Sequence, residues 1–109
     1  MPNYSRNEIV LVRFPFSDLT NVKIRPAVVI NGPYPSSDLL LVSLTSKLTK
    51  LLPGEFVLSN WKGAGLNVPS SVKRGIFTIQ EKLILRSVGK LESEDAATLD
   101  TSLRDWLTL

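Results

Sequence analysis

A small, strongly bent β-barrel with one helix laid across it is the fold this sequence predicts. Three observations carry that expectation. Short apolar stretches rich in β-branched residues recur along the chain, turn-forming clusters of Pro, Gly, Asn, Asp and Ser separate them, and a helix-period stripe stands at the C-terminal end. The 109 residues are read as a single domain, 1–109. A chain of this length buries roughly two-thirds of its unfolded surface and so holds one modest core. With 43% hydrophobic and 21% charged residues, the composition is that of an ordered globular domain rather than a disordered one.

The elements follow in order. Glu8 to Phe14 (EIVLVRF) is a β-branched run bounded by Asn7 and Pro15, and reads as the first strand. Pro15 to Lys23 (PFSDLTNVK) is a polar, turn-rich loop, longer than a tight hairpin needs. Pro26 then opens a second apolar strand, Ala27 to Ile30. The turn Asn31-Gly32-Pro33, continued by Pro35-Ser36-Ser37-Asp38, leads to Leu39–Leu44 (LLLVSL), whose unbroken apolar character suggests burial on both faces. Thr45 to Leu52 is a second polar loop, Glu55 to Leu58 a short strand, and Asn60 to Pro69 (NWKGAGLNVP) a third loop. Ser71 to Ile79 and Lys82 to Leu91 read as two further strands with a turn at Gln80-Glu81. Ser93 is an expected N-cap before Glu94 and Asp95, and Ala96, Leu99, Leu103, Trp106 and Leu107 fall on one helical face.

Composition removes whole classes of chemistry. The chain has neither cysteine nor histidine, so disulfides, thiolate metal sites, His-based zinc sites and Ser-His-Asp or Cys-His catalysis are excluded. Any catalysis must use carboxylates, Lys, Arg, Tyr or hydroxyls. No metal and no cofactor is expected. The net charge of +3 is compatible with a polyanionic partner. No N-terminal stretch has the form of a secretory signal, and the apolar runs fall far short of the ~20 residues that span a membrane. A cytoplasmic location without membrane contact is the expectation.

Several pieces, in this order and spacing, resemble the MazF/PemK-like (Kid/MazF) toxins of type II toxin-antitoxin systems. They are Glu8 to Leu19 (EIVLVRFPFSDL), Lys23 to Ile30 (KIRPAVVI), Leu41 to Ser46 (LVSLTS), Glu55 to Leu58 with Asn60 to Leu66 (NWKGAGL), Pro69 to Arg74 (PSSVKR), and Lys90-Leu91 before the acidic helix start. The resemblance covers nearly the whole chain. It implies an SH3-like barrel of the MazF/Kid/CcdB kind that forms a homodimer and binds single-stranded RNA in grooves at the dimer interface. It further implies a cognate antitoxin protein occupying the same surface, with operator DNA engaged only through the antitoxin complex. The implied activity is that of a metal-independent endoribonuclease, an mRNA interferase, in which the ribose 2′-hydroxyl attacks the adjacent phosphorus to give a 2′,3′-cyclic phosphate. A non-catalytic member of the same fold that binds nucleic acid or protein is the alternative, since toxins that poison DNA gyrase by binding share it. A peptide-binding adaptor would need clustered exposed aromatics, which 7% aromatic content on core-like positions disfavours.

Candidate site residues follow from that chemistry. RNA supplies its own nucleophile, so the protein must accept a proton, stabilise charge at phosphorus and protonate the leaving oxygen. Arg25 is the charge-stabilising candidate, because guanidinium matches phosphate oxygens two at a time. The other reading is a surface arginine paired with Asp18 or Glu55. Thr45, at the end of a buried strand, matches the family threonine that orients the scissile phosphate; otherwise its hydroxyl caps a backbone group. One branch of the family carries an arginine and an aspartate two residues apart after the Trp-containing loop. Here the stretch is Val72-Lys73-Arg74-Gly75, without a carboxylate, so Lys73 or Arg74 replaces the arginine. Another branch carries a glutamate where this chain has Thr20; the nearest carboxylate is Asp18, read either as the general base or as a turn residue. RNA-binding candidates are Phe16 and Trp61 as stacking platforms, with Thr20, Ser46, Lys47, Lys62 and Arg74 as polar contacts. Trp61 is equally readable as a packed loop anchor, and the lysines as solvated surface. Phe14 and Phe56 are expected in the core, and Trp106 in the core or an interface. Leu48, Leu51 and Leu52 are read as covered by a partner chain or folded back on the barrel.

Overall fold

A computed structural model describes residues 4–14, 23–32 and 38–109. The elements are β1 (Glu8–Phe14), β2 (Lys23–Val29), β3 (Asp38–Thr45), β4 (Phe56–Val57), β5 (Ser71–Val72), β6 (Phe77–Gln80), a 3-10 turn (Glu81–Leu83), β7 (Ile84–Lys90) and α1 (Ser93–Leu107). All pairings are antiparallel, in the order β4-β5-β3-β2-β1-β7, with β6 also on β3. The expected mainly β architecture with a C-terminal helix is the one observed. Among the described residues, no helix is long and apolar enough to cross a membrane.

Strand alternation divides the apolar residues between two cores. Ile9 of β1, Val28 of β2 and Val42 and Leu44 of β3 point to the side covered by α1 through Leu99 and Leu103, with Leu58, Ala64, Val72 and Leu91. Val10, Val12 and Phe14 of β1, Ala27 and Val29 of β2 and Leu41 of β3 point to the other side, where Leu39, Ile79 and Ile84 complete the cluster. The unbroken run Leu39–Leu44 is thus explained: β3 feeds both cores. On the helix stripe, Ala96 and Trp106 pack against the first core, while Leu107 is exposed.

Four local expectations are corrected. β2 begins at Lys23 rather than after Pro26, because its first half pairs with β1 (Phe14↔Lys23 to Leu11↔Pro26). That half is largely exposed and sets a single Ile24 between Lys23 and Arg25, so it carries no apolar run. The stretch 71–79 is two strands, not one. Val72 pairs with Leu44 and Phe77 with Leu41, so five steps of this segment run beside three of β3. The extra residues bulge out at Gly75, whose φ of 141° suits glycine. The strand expected from Lys82 starts at Ile84, after the 3-10 turn. Finally, Glu92 rather than Ser93 occupies the N-cap position of α1, without a side-chain cap.

Candidate active-site cleft

The site arises where two neighbouring strands part. β2 and β3 pair only over Val29↔Leu41, Val28↔Val42 and Ala27↔Ser43. Beyond Ala27, β2 continues on β1 alone, whereas Leu44 and Thr45 of β3 pair with Val72 and Ser71 of β5. A fork opens between Arg25 and Thr45. Pro26 is the first residue of β2 outside the β2–β3 ladder, so its missing N–H costs no bond to β3. The Lys73 N–H donates to the Ser43 carbonyl (2.9 Å), which fixes Lys73 beside the same opening.

Two clefts meet at this fork, and Arg25, Leu44 and Thr45 line both. The larger, about 630 Å³, lies on the α1 side of the sheet. Its walls include Leu11 and Pro26, the loop residues Leu66, Asn67 and Val68, and Arg86 and Val88 of β7, with Ser46 at the edge. The smaller, about 340 Å³, lies on the opposite face, where Lys23, Ser43, Phe14 and Lys73 surround the shared residues. Lys23, Arg25, Lys73 and Arg86 therefore bring four cations to one continuous opening, and no carboxylate lines it among the described residues. Such a lining concentrates positive potential where an anionic chain could lie.

Hydrogen bonds and one close backbone approach hold the walls of the larger cleft. The loop 60–66 wraps on itself through Ala64 N–H to Asn60 O, Gly65 N–H to Lys62 O and Leu66 N–H to Trp61 O. It lies so close to β7 that a Cβ on Gly89 would collide with the Ala64 carbonyl. Asp95 of α1, 2% exposed, holds the start of the loop. Its carboxylate accepts from the Ser59 N–H (2.8 Å), the Ser59 hydroxyl (2.9 Å) and the Asn60 N–H (3.0 Å).

The expected residues divide. Arg25, Thr45, Ser46 and Lys73 line the clefts. Arg25 makes no ion pair among the described residues, and Glu55 is engaged elsewhere, accepting from the Leu52 (2.8 Å) and Arg74 (2.9 Å) backbone N–H groups. Those two bonds, led by Arg74, hold the Glu55 carboxyl below its ordinary range. The Thr45 hydroxyl accepts the Lys47 N–H (3.2 Å), so it caps a turn while it lines the site. Lys47, Trp61, Lys62 and Arg74 line neither cleft. Trp61 packs against the α1-side core as a loop anchor, with the Lys62 ammonium 5.8 Å from its ring centre. The Arg74 guanidinium donates to the Pro53 carbonyl (3.3 Å). Phe16, Asp18 and Thr20 lie outside the described residues. Leu48 and Leu52 are exposed and Leu51 half-buried.

Lys23 and Arg86 were not anticipated. Arg86 carried only a faint signal, two residues from Ile84 and two from Val88, because a register shift sends those neighbours to opposite cores. Lys23 carried none, since it read as the end of a loop.

An antiparallel sheet, covered on one side by a C-terminal helix and forked over a cation-lined cleft, defines the structural class. Solved structures share the fold of this sheet and helix. An endoribonuclease in complex with its cognate antitoxin, from a mycobacterial species, superposes with a TM-score of 0.78 at 15% identity, over 95% of this chain and 94% of that one. The Mycobacterium tuberculosis toxin MazF-mt6 gives 0.75 at 19% identity, over 94% and 97%. MazE-MazF from Deinococcus radiodurans gives 0.80 at 13% identity, over 100% and 99%. No curated protein sequence matches the chain. The family model for PemK-like, MazF-like toxins of type II toxin-antitoxin systems matches residues 5–107, and the chain belongs to that family.

Proposed function

We propose that this protein is a metal-independent endoribonuclease that cuts single-stranded RNA at the β2–β3 fork. The observation that supports this reading best is the placement of Arg25 and Thr45 on the two lips of one cation-lined opening. A phosphate seated there meets a bidentate guanidinium and a hydroxyl. The 2′-oxygen forms a new bond to phosphorus as the bond from phosphorus to the 5′-oxygen breaks. Arg25 stabilises the charge that grows on the non-bridging oxygens, and Thr45 orients the group for in-line attack. The Lys73 ammonium donates the proton that the 5′-oxygen takes up. By its sequence position, two residues before the place where one family branch carries a glutamate, Asp18 is the group that accepts the 2′-hydroxyl proton. The products are a 2′,3′-cyclic phosphate and a 5′-hydroxyl. As in the antitoxin complexes of the similar structures, a cognate antitoxin is expected to bind the toxin, here by covering the fork, and two copies of the chain are expected to pair.

The test is cleavage of a long, unstructured RNA in EDTA by the antitoxin-free protein and by Arg25→Ala. Discrete fragments ending in a cyclic phosphate are expected, with the rate falling about 100- to 1000-fold in the variant. Intact RNA after exposure to folded wild-type protein would overturn the nuclease reading in favour of a binding-only role, which a cleft lined by no carboxylate among the described residues also suits. Equal cleavage by both proteins would remove Arg25 from the chemistry.

A further inference from the structure

We infer that Arg86 and Arg13 form a cationic track leading out of the larger cleft, and that it grips the RNA strand beyond the cleaved linkage. This rests on the RNA-cutting reading and extends it to how much of the substrate is held. Leu11 of β1 is the hinge of the inference. It pairs with Arg86 on β7 and with Pro26 on β2, and all three line the larger cleft. Arg13 is the next residue of β1 on that face, about 7 Å further along the strand. The burial pattern of β1 confirms the alternation: Val12 and Phe14 turn into the opposite core, while Arg13 is exposed. Its partner across the ladder is Ile24, which is 48% exposed.

The face beyond the cleft therefore runs from Arg86 across Leu11 to Arg13 and Ile24. Neither arginine forms an ion pair among the described residues. Two guanidinium groups without an ion pair among the described residues, flanking an apolar strip, are what an extended single strand requires: charges for successive phosphates and a surface for the sugar or base between them. Exposed Ile24 is otherwise unexplained, since it serves neither core. A protein partner with a carboxylate-rich strip would meet the same charges. Continuity with the cleft favours RNA, because a strand whose phosphate lies at Arg25 has to leave past one cleft wall or the other. The track adds sequence-independent grip, so it sets the length of RNA engaged rather than the motif cut.

The experiment uses RNAs made uncleavable by 2′-O-methylation, one of four nucleotides and one of ten, with binding measured across a salt series. Cleavage of the unmodified ten-mer is followed separately. Substituting Arg13→Gln and Arg86→Gln together should weaken the ten-mer at least tenfold more than the four-mer. The ten-mer's salt slope should fall by about 0.7 for each phosphate contact removed. An unchanged affinity and slope for the ten-mer, with cleavage by the wild type intact, would overturn the track and leave the nuclease reading standing. An equal loss at both lengths would also overturn it, placing Arg86 at the cut linkage alone. A selective loss at the ten-mer in the variant, beside a wild type that cuts nothing, would support the track and sink the nuclease reading. Matching unfolding midpoints for the variant and the wild type verify that the fold is unchanged.

Discussion

Asp95 shows how far a single side chain can act from where its sequence places it. In the chain it is an acidic residue in the first turn of a helix, where negative charge suits the macrodipole. In the structure its carboxylate is turned to Ser59 and Asn60, more than thirty residues away in sequence, and ties α1 to the loop that walls the larger cleft. Replacing it (Asp95→Ala) leaves three donors without their acceptor, and about 2 kcal/mol of stability should be lost in denaturant unfolding. Glu55 offers a pH-dependent counterpart. Its carboxyl is held below the ordinary range by two backbone donors, so its contribution is complete at neutral pH and fades as pH falls through the lowered value. Glu55→Gln should cost about 0.5 kcal/mol at pH 7, discounted for solvent screening, and the gap from wild type should narrow on acidification. Arg25 and Thr45 were marked by the family resemblance, and both line the one opening. For Trp61, read as platform or loop anchor, and for Arg74 the placement was not legible, because their partners in the core and at Pro53 are distant in sequence.

At the scale of elements, periodicity was a good guide wherever one face meets a core. β1, β3 and α1 lie close to the stretches their apolar patterns mark. It failed for the first half of β2, which is held by backbone pairing to β1 while its side chains face solvent. It failed again between β5 and β6, where a bulge at Gly75 breaks what reads as one strand. The contact between the 60–66 loop and β7 belongs to this scale also. Gly89→Ala would drive a methyl group into the Ala64 carbonyl, and backbone rather than a flexible side-chain end must yield. The expected outcome is a loss of roughly 2–3 kcal/mol in stability together with weaker RNA binding, as the loop is pushed off its strand. Unchanged binding in a destabilised variant would show that the wall does not depend on this approach.

Taken whole, the molecule carries a modest excess of positive charge, but the distribution matters more than the total. Lys23, Arg25, Lys73 and Arg86 converge on one opening from β2, the segment after β5, and β7, while Asp100 is paired with Arg6 and Arg104 away from it. Binding of single-stranded RNA should accordingly fall with salt, with a log-log slope of about −3 if each of those four cations meets a phosphate. A slope near zero in a fluorescence anisotropy titration would show that the cleft does not hold the backbone. Overall charge was legible in the composition; its gathering at one place was not, because it depends on which strands part. The parted seam between β2 and β3 has a last consequence. In most sheets, admitting a bulky chain between two strands means unzipping them, and each ladder bond broken is an activation cost. Here the unzipping is complete when folding ends, since Arg25 and Thr45 already belong to different ladders. The doorway is a permanent aperture in the architecture, and passage through it requires no rupture of the sheet.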